Sequence, residues 1–174
     1  MEKYFSGIWK DDNYQGLLYS GYQLVDYVNQ KNPNSVLDVG CGFNKFKEKI
    51  HNLIGIDPYN NAADMKISLE DYPTISHDII LCLGSINFGN ERNIDLQIKK
   101  LDKMWKNEII FRVNPGIIHN WVDKNDIDEI EWYKWTPEKI NSIAKMYKYT
   151  VTCLEEEYTL CGHLRYYFTY IRNL

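Results

Sequence analysis

Residues 36–44 read Val-Leu-Asp-Val-Gly-Cys-Gly-Phe-Asn, and this stretch decides the fold. A β-prone run over residues 35–39 ends at a glycine-rich turn, residues 40–42, and Phe46 and Ile50 then indicate the start of a helix. Glycines in such a turn let a ligand approach the backbone, because no Cβ intervenes, and a helix start offers free N–H groups. Ligands of open α/β sheets bind beyond the carboxyl ends of the strands, so this turn is the first candidate binding site.

Outside this stretch, short apolar runs alternate with segments of helical periodicity. The strands predicted are 35–39, 53–56, 63–69, 78–83, 108–113, 149–154 and 165–171. The helices predicted are 14–29, one from residue 46, 94–105, and one that begins at Pro137 with Thr136 as its N-cap. The alternation predicts one α/β domain over residues 1–174, with a mostly parallel seven-stranded sheet and helices on both faces. The last two strands are about ten residues apart, too few for a parallel return, so we expect an antiparallel edge hairpin.

The composition is that of a globular protein, with 44% hydrophobic and 25% charged residues. No apolar run has the length of a membrane span, and the N-terminus lacks the order of a signal peptide, so we expect a cytoplasmic protein. A net charge of −4 provides no basic surface for a long nucleic acid. The four cysteines form no CxxC pair and lie mostly in apolar runs, so we expect reduced, buried thiols and no metal site.

The turn differs from the dinucleotide-binding fingerprint in two respects. That fingerprint requires a glycine at the sixth position of G-x-G-x-x-G, where this chain has Lys45. Asp38, just before the turn, would repel a pyrophosphate but would suit a cationic ligand. The residues therefore favour a different cofactor.

With these features the chain resembles the class I S-adenosylmethionine-dependent methyltransferases over nearly its whole length. Residues 36–42 resemble the family's first motif and residues 54–57 its second, while 69–73 followed by 78–82 resemble the adenine-side loop and fourth strand. Asn44 replaces the third glycine of the family's G-x-G-x-G; because Asn tolerates left-handed backbone, we expect the turn to be kept. Ser68 stands where the family often has an acidic residue, so either Ser68 and Leu69 hold the adenine or Asp64 does part of this.

The resemblance implies a Rossmann-like fold and S-adenosylmethionine as cofactor. It implies that Asp38 faces the ammonium group and that Asp57 holds the ribose hydroxyls, since a carboxylate accepts two hydrogen bonds at once. Tyr14, in an aromatic N-terminal segment that either covers the cofactor or packs the first helix, would bond the methionine carboxylate. The full predicted set of cofactor-binding residues is Asp38, Gly40, Cys41, Gly42, Asn44, Asp57, Pro58, Ser68, Leu69, Leu83, Gly84 and Tyr14. Compact members of this family are common in bacteriophages, which would place the protein in the host cytoplasm.

The methyl acceptor has no motif of its own. Methyl transfer depends mainly on alignment, and a base is needed only for an acceptor whose proton has a high pKa. The candidate catalytic residues are Asn87 and His119, which follow the fourth and fifth predicted strands. His119 could act as a base, because an unperturbed imidazole titrates near neutral pH, or it could be a histidine of a surface loop. The motifs of DNA adenine and cytosine methyltransferases are missing. We therefore predict a small, neutral or cationic acceptor; the alternatives are a non-catalytic cofactor-binding or sequestering module, or a methyltransferase of nucleic acid or protein.

Overall fold

The computed structural model describes residues 21–115, 131–158 and 164–172. The helices in these ranges are α1 (Leu24–Gln30), α2 (Glu91–Asp102) and α3 (Pro137–Tyr147). The strands are β1 (Val36–Val39), β2 (Leu53–Ile56), β3 (His77–Leu83), β4 (Trp105–Val113), β5 (Tyr149–Tyr158) and β6 (Leu164–Arg172). Short strands that are buried along most of their length match the continuous apolar runs of the sequence.

The six described strands form one sheet in the order β2-β1-β3-β4-β6-β5. β2, β1, β3 and β4 run parallel, and β6 lies antiparallel to both β4 and β5. The predicted α/β architecture with an antiparallel C-terminal edge is therefore confirmed. The chain passes from β1 to β2 on one side and to β3 on the other, so the crevice for a ligand opens at the carboxyl end of β1.

The predicted strand at 63–69 is wrong, which is why the described sheet has six strands and not seven. Only a single bridge, between Met65 and Ile56, joins this segment to the sheet. The N–H of Ile67 donates to the carbonyl of Met65 at 3.0 Å, two residues back. This tight turn takes a backbone donor that a sheet ladder would need.

The helix predicted from Phe46 is also wrong, because residues 42–49 form consecutive turns. One helical hydrogen bond is present, from the N–H of Ile50 to the carbonyl of Phe46 at 2.9 Å. Left-handed residues stand on both sides, Asn44 with φ 53° and Asn52 with φ 57°. A left-handed residue at each end interrupts the right-handed backbone that a continuing helix requires.

The core has two parts, one on each face of the sheet. On one face α1 packs Leu24 and Val28 against β1, β3 and β4. On the other face α2 and α3 cover a larger cluster that includes the fully buried Trp135 and Phe111. Each buried large side chain contributes roughly 1.5–3 kcal/mol. The rigid sheet between these clusters fixes the positions of the loops at its carboxyl edge.

Local signals at α3 behave as predicted. The Oγ1 of Thr136 accepts the N–H of Lys139 at 3.2 Å, and Pro137 occupies the first turn. No helix within the described ranges is long and apolar enough to cross a membrane.

The cysteines follow the prediction only in part. Cys41 and Cys82 are buried and free, but Cys153 is exposed. The register of β5 against β6 shifts after Thr152, and Cys153 adopts a φ of 53°. This bulge turns Cys153 out of the regular pleat, which explains why an apolar run failed to bury it. Cys161 lies outside the described residues.

Candidate cofactor site

The glycine turn closes over the end of β2. The N–H groups of Gly40 and Cys41 both donate to the carbonyl of Ile56, at 2.8 and 3.0 Å. Gly40 has φ +70°, and a Cβ added there would lie 2.5 Å from the Cβ of Ser85. Gly40 is nevertheless exposed, so its backbone is open to a ligand on the outer side. The position needs glycine both for its conformation and for its contact with Ser85.

Asn44 preserves the turn in the way the sequence predicts. Its φ of 53° lies in the left-handed region. Its Nδ2 donates to the carbonyl of Ala62 at 3.1 Å and to Oδ2 of Asp64 at 3.2 Å. The side chain therefore ties the turn to the loop after β2, which glycine could not do.

Asp38 is the most unusual group at this edge. It is only 3% exposed, and no hydrogen bond to its carboxylate is found in the described parts of the chain. Burial, and then the negative charge of Asp57, raise the pKa of Asp38 to about 7. An ionised carboxylate in such surroundings is unfavourable without a partner, and a cation bound beside it would remove that cost.

Asp57, at the end of β2, anchors its own loop as well as the turn. Oδ1 accepts the N–H groups of Tyr59 and Asn60 at 2.8 and 2.9 Å, and Oδ2 accepts the N–H of Gly42 at 3.1 Å. A carboxylate offers about four acceptor positions, so about one remains, on Oδ2. In this arrangement Asp57 has room for one further hydrogen bond and not for the two that the resemblance implies.

Asp64 serves the loop and not an open pocket. Its carboxylate accepts the N–H of Gly55 at 2.8 Å, contacts the amide of Asn44, and forms an ion pair with Lys47 at 2.9 Å. Burial acts in the opposite direction, yet the Gly55 and Lys47 interactions hold the pKa of Asp64 below its ordinary value. Its oxygens are committed to these partners, which removes support for Asp64 as an adenine-binding group.

The other predicted adenine-side residues show mixed geometry. Ser68 donates to Oδ2 of Asp71 at 2.9 Å and accepts the N–H of Asp71 at 3.2 Å, so its hydroxyl closes a local turn. Leu69 is buried in the core, which leaves its backbone as the part that a ligand would meet. Pro58 is half-buried directly after Asp57. The adenine-binding roles of these residues stay predictions.

The loop after β3 provides open space next to the turn. Gly84 has φ +109°, and a Cβ added there would meet no atom within 4 Å. Asn87 is buried; its Nδ2 donates to the carbonyl of Gly84, and its Oδ1 accepts the N–H of Asn114, both at 2.9 Å. Asn87 thus braces the ends of β3 and β4, and the catalytic role predicted for it stays a prediction. The predicted His119 and Tyr14 lie outside the described residues.

Two further residues lie at this edge: Ser85, which belongs to the acceptor-facing group 83–88 that the sequence suggests, and Arg112, which sequence reasoning missed. The Oγ of Ser85 is buried beside Gly40 and lies near the thiol of Cys82. Arg112 is buried near the end of β4 and pairs with Glu157 of β5. The sequence could have indicated Arg112, because a cation inside the apolar run 108–113 requires a partner when it is buried. Its partner was not visible, since it lies 45 residues away in sequence.

The structure of the chain is similar to solved methyltransferase structures. N-methyltransferase NodS from Bradyrhizobium japonicum, bound to S-adenosylhomocysteine, superposes with a TM-score of 0.75 at 11% identity, over 99% of this chain and 98% of that one. Magnesium protoporphyrin IX methyltransferase from Synechocystis gives 0.72 at 13% identity, over 99% and 97%. The 1,6-didemethyltoxoflavin-N1-methyltransferase from Burkholderia thailandensis gives 0.72 at 10% identity, over 99% and 87%.

At the level of sequence, no protein-family model and no curated protein matches the chain. The similarity is therefore one of fold. The sheet order, the turn after β1 and the antiparallel edge agree with it. The chain has the fold of the class I S-adenosylmethionine-dependent methyltransferases.

Proposed function

We propose that the chain binds S-adenosylmethionine at the carboxyl edge of β1 and β2 and transfers its methyl group to a small molecule. The observation that carries this proposal is Asp38, a buried carboxylate without a hydrogen-bond partner in the described residues, next to the exposed backbone of Gly40. A cationic ligand that also needs close backbone contact matches both features. S-adenosylmethionine carries an ammonium and a sulfonium group.

The residues at this edge fit the cofactor in separate ways. Asp38 would accept the ammonium group, and such a charge-assisted hydrogen bond is about twice as strong as a neutral one. Gly40 has no side chain to obstruct the approach, and the free position on Oδ2 of Asp57 would accept one ribose hydroxyl. The three similar proteins named above are methyltransferases, and all three were solved with S-adenosylhomocysteine bound. These points support the same cofactor here.

When bound, S-adenosylmethionine supplies an electrophilic methyl group on sulfur. The chain's part is to hold the reactants in line, since alignment alone can account for much of the barrier reduction. The loop after β3 lies next to the glycine turn, and the open space at Gly84 would receive the acceptor. Asn87 would fix the shape of this loop through its two hydrogen bonds, without itself moving a proton.

A small acceptor is supported by the net charge of the sequence and by the substrates that two of the similar proteins are named for. The net charge is −4, and nucleic-acid binding requires basic groups that offset phosphate charge. Two of the similar structures belong to enzymes whose names state small heterocyclic substrates. The expectation of a neutral or cationic acceptor rested on the compact chain, its acidic balance and the missing nucleic-acid motifs. The buried cation Arg112 near the end of β4 argues for a different class of acceptor.

Calorimetric titration with S-adenosylmethionine tests the cofactor. Wild type should bind, and Asp38→Asn should weaken binding about tenfold or more, because hydrogen bonds to charged groups contribute roughly 1.5–3 kcal/mol. Asp26→Asn is the matched control: it removes the same charge from an exposed position on α1 and should bind like wild type. A wild type that does not bind, or equal affinity in wild type and Asp38→Asn, would contradict the proposal.

Transfer is tested separately from binding. Wild type is incubated with methyl-labelled S-adenosylmethionine and a small-molecule extract, and labelled products are separated from the cofactor. Labelled small products are expected. Tight binding without any labelled product would favour the non-catalytic cofactor-binding module instead.

A further inference from the structure

Arg112 is a mostly buried cation, and in the described parts of the chain only its Nε–H has a hydrogen-bond partner. Its side chain is only 9% exposed. Its Nε–H donates to the Glu157 carboxylate, and within the described residues the Nη groups make no hydrogen bond. A guanidinium has five N–H donors, so the Nη groups can donate to a further acceptor. The geometry therefore suggests a site built for a further acceptor group.

The strand registers place Arg112 on the same face of the sheet as Asp38. Arg112 is the partner of Leu83 in β3, and two residues earlier in β3 Leu81 is the partner of Asp38. Partners in register point to the same side, and so do residues two apart in a strand. Strands lie about 4.8 Å apart, one strand separates β1 from β4, and two residues along a strand add about 6.6 Å, so the two side chains start about 12 Å apart. This separation leaves room for a small molecule beside the cofactor.

Tyr167 extends this polar group on the neighbouring strand. It is the antiparallel partner of Arg112, so the two side chains emerge side by side. No hydrogen bond of its hydroxyl is found among the described residues, and burial raises the pKa of Tyr167 well above its ordinary value. The hydroxyl therefore remains protonated and can donate. The guanidinium of Arg112 has donors only, and the Tyr167 hydroxyl can donate beside it. The pair therefore suits a ligand group that accepts hydrogen bonds.

Glu157 restricts which anion can bind. It already compensates one positive charge, so the Arg112–Glu157 pair is neutral as a unit. A singly charged carboxylate gains the planar, two-point geometry that guanidinium groups favour. A doubly charged phosphate would face stronger repulsion from Glu157 at short range. The charges thus favour a monocarboxylate over a phosphate.

We propose that Arg112 and the Tyr167 hydroxyl bind a carboxylate of the methyl acceptor, which makes the acceptor a small carboxylic acid. This inference rests on the proposed methyltransferase function. It makes Arg112 a specificity-determining residue that contacts the acceptor away from the reacting atom. The methyl group would be transferred to a nucleophile on the part of the acceptor that extends toward β1.

The direct test is binding of a panel of small aromatic and aliphatic monocarboxylates, each paired with its own amide, to protein saturated with S-adenosylhomocysteine. Saturation-transfer NMR and calorimetry give the affinities. Carboxylates should bind more tightly than their amides. Arg112→Gln should reduce carboxylate affinity about tenfold or more and leave amide affinity unchanged, because a charge-assisted hydrogen bond is lost.

Glu157→Gln separates recognition from a structural role. It removes the competing negative charge, so the affinity for carboxylates should increase and phenyl phosphate should also bind. If the ion pair were merely structural, its disruption would weaken the binding of carboxylates and of phenyl phosphate. Arg112→Lys, which keeps the charge, should retain part of the carboxylate preference and guards against misfolding of Arg112→Gln. Arg92→Gln is the matched control, since it removes the same charge from the exposed face of α2.

Each outcome decides the inference. Equal binding of acids and amides by wild type, or weaker carboxylate binding by Glu157→Gln, would overturn it. A loss of S-adenosylmethionine affinity in Arg112→Gln would also overturn it, because Arg112 would then bind the cofactor's own carboxylate. If carboxylates bind as expected but S-adenosylmethionine does not bind wild type, the proposed function fails and the carboxylate site stands by itself.

Discussion

Replacing Asp38 with Asn should stabilise the ligand-free chain at neutral and alkaline pH while it weakens cofactor binding. The carboxylate is buried at the end of β1, and desolvation followed by the charge of Asp57 raises its pKa from 3.8 to about 7. The folded chain therefore binds this proton more tightly than the unfolded chain does. The stabilisation that protonated Asp38 provides is complete below pH 3.8 and is lost progressively as the pH rises to about 7.

The size of the effect follows from that shift. At about 1.4 kcal/mol for each pH unit, a pKa that moves from 3.8 to about 7 corresponds to an upper bound of about 4 kcal/mol. Asn cannot ionise, so the variant avoids this cost. The difference in the free energy of unfolding, Asp38→Asn minus wild type, should increase between about pH 4 and pH 7 and then remain constant.

Urea denaturation of both proteins at half-unit steps from pH 4.5 to 8.5 measures this difference. Titrating groups that do not interact with Asp38 contribute equally to both proteins and cancel in the comparison. Asp26→Asn, which changes an exposed side chain of α1, should show no such trend. Parallel pH profiles for wild type and Asp38→Asn would refute the reasoning, because Asp38 would then ionise in the folded chain as easily as in the unfolded one.

Three further perturbations test the packing around the site. Gly40→Ala should weaken S-adenosylmethionine binding in calorimetry, because its Cβ would lie 2.5 Å from that of Ser85; adding Ser85→Gly should restore part of the affinity, and no restoration would argue against this contact. Asn44→Ala should lower the free energy of unfolding by about 2 kcal/mol in urea denaturation, since it strains a left-handed backbone position and removes two hydrogen bonds. Asn44→Gly should lower the free energy of unfolding by less, and an equal decrease would assign the effect to the hydrogen bonds alone. Trp135→Phe should cost about 1–3 kcal/mol by the same measurement, because the indole N–H donates to the buried carbonyl of Ile86 at 2.7 Å; an unchanged unfolding free energy would contradict this.

The cofactor edge was predictable from sequence to the extent that its residues are close along the chain. The strand before the glycine turn, the left-handed Asn44 and the position of Asp57 after β2 all follow from local patterns. The roles of Asp64 and Asn87 could not be predicted in this way. A polar side chain that lies near a pocket in sequence can instead form its hydrogen bonds with backbone groups. Both residues brace loops through hydrogen bonds to partners that local reasoning does not identify.

Two predicted elements failed for a related reason. The segment after the turn has the apolar spacing of a helix, and 63–69 has β-prone residues, yet neither forms the predicted element. Left-handed residues at Asn44 and Asn52 confine the first segment. In the second, Asp64 and Met65 both direct their N–H groups to the carbonyl of Gly55. Backbone conformation outweighed helix preference in the first segment, and contacts with β2 outweighed strand preference in the second.

The sequence by itself determined the alternation of the six described strands with α1, α2 and α3, the capped start of α3 and the glycine turn, because these depend on interactions between residues a few positions apart. Only the tertiary structure decided the electrostatics of the site. Asp38 acquires its raised pKa from burial by the completed sheet and from Asp57 on the adjacent strand's end. Arg112 meets Glu157 only because β6 lies between β4 and β5. Desolvation and long-range pairing exist only once the strands are assembled, and the chemistry of this edge depends on both.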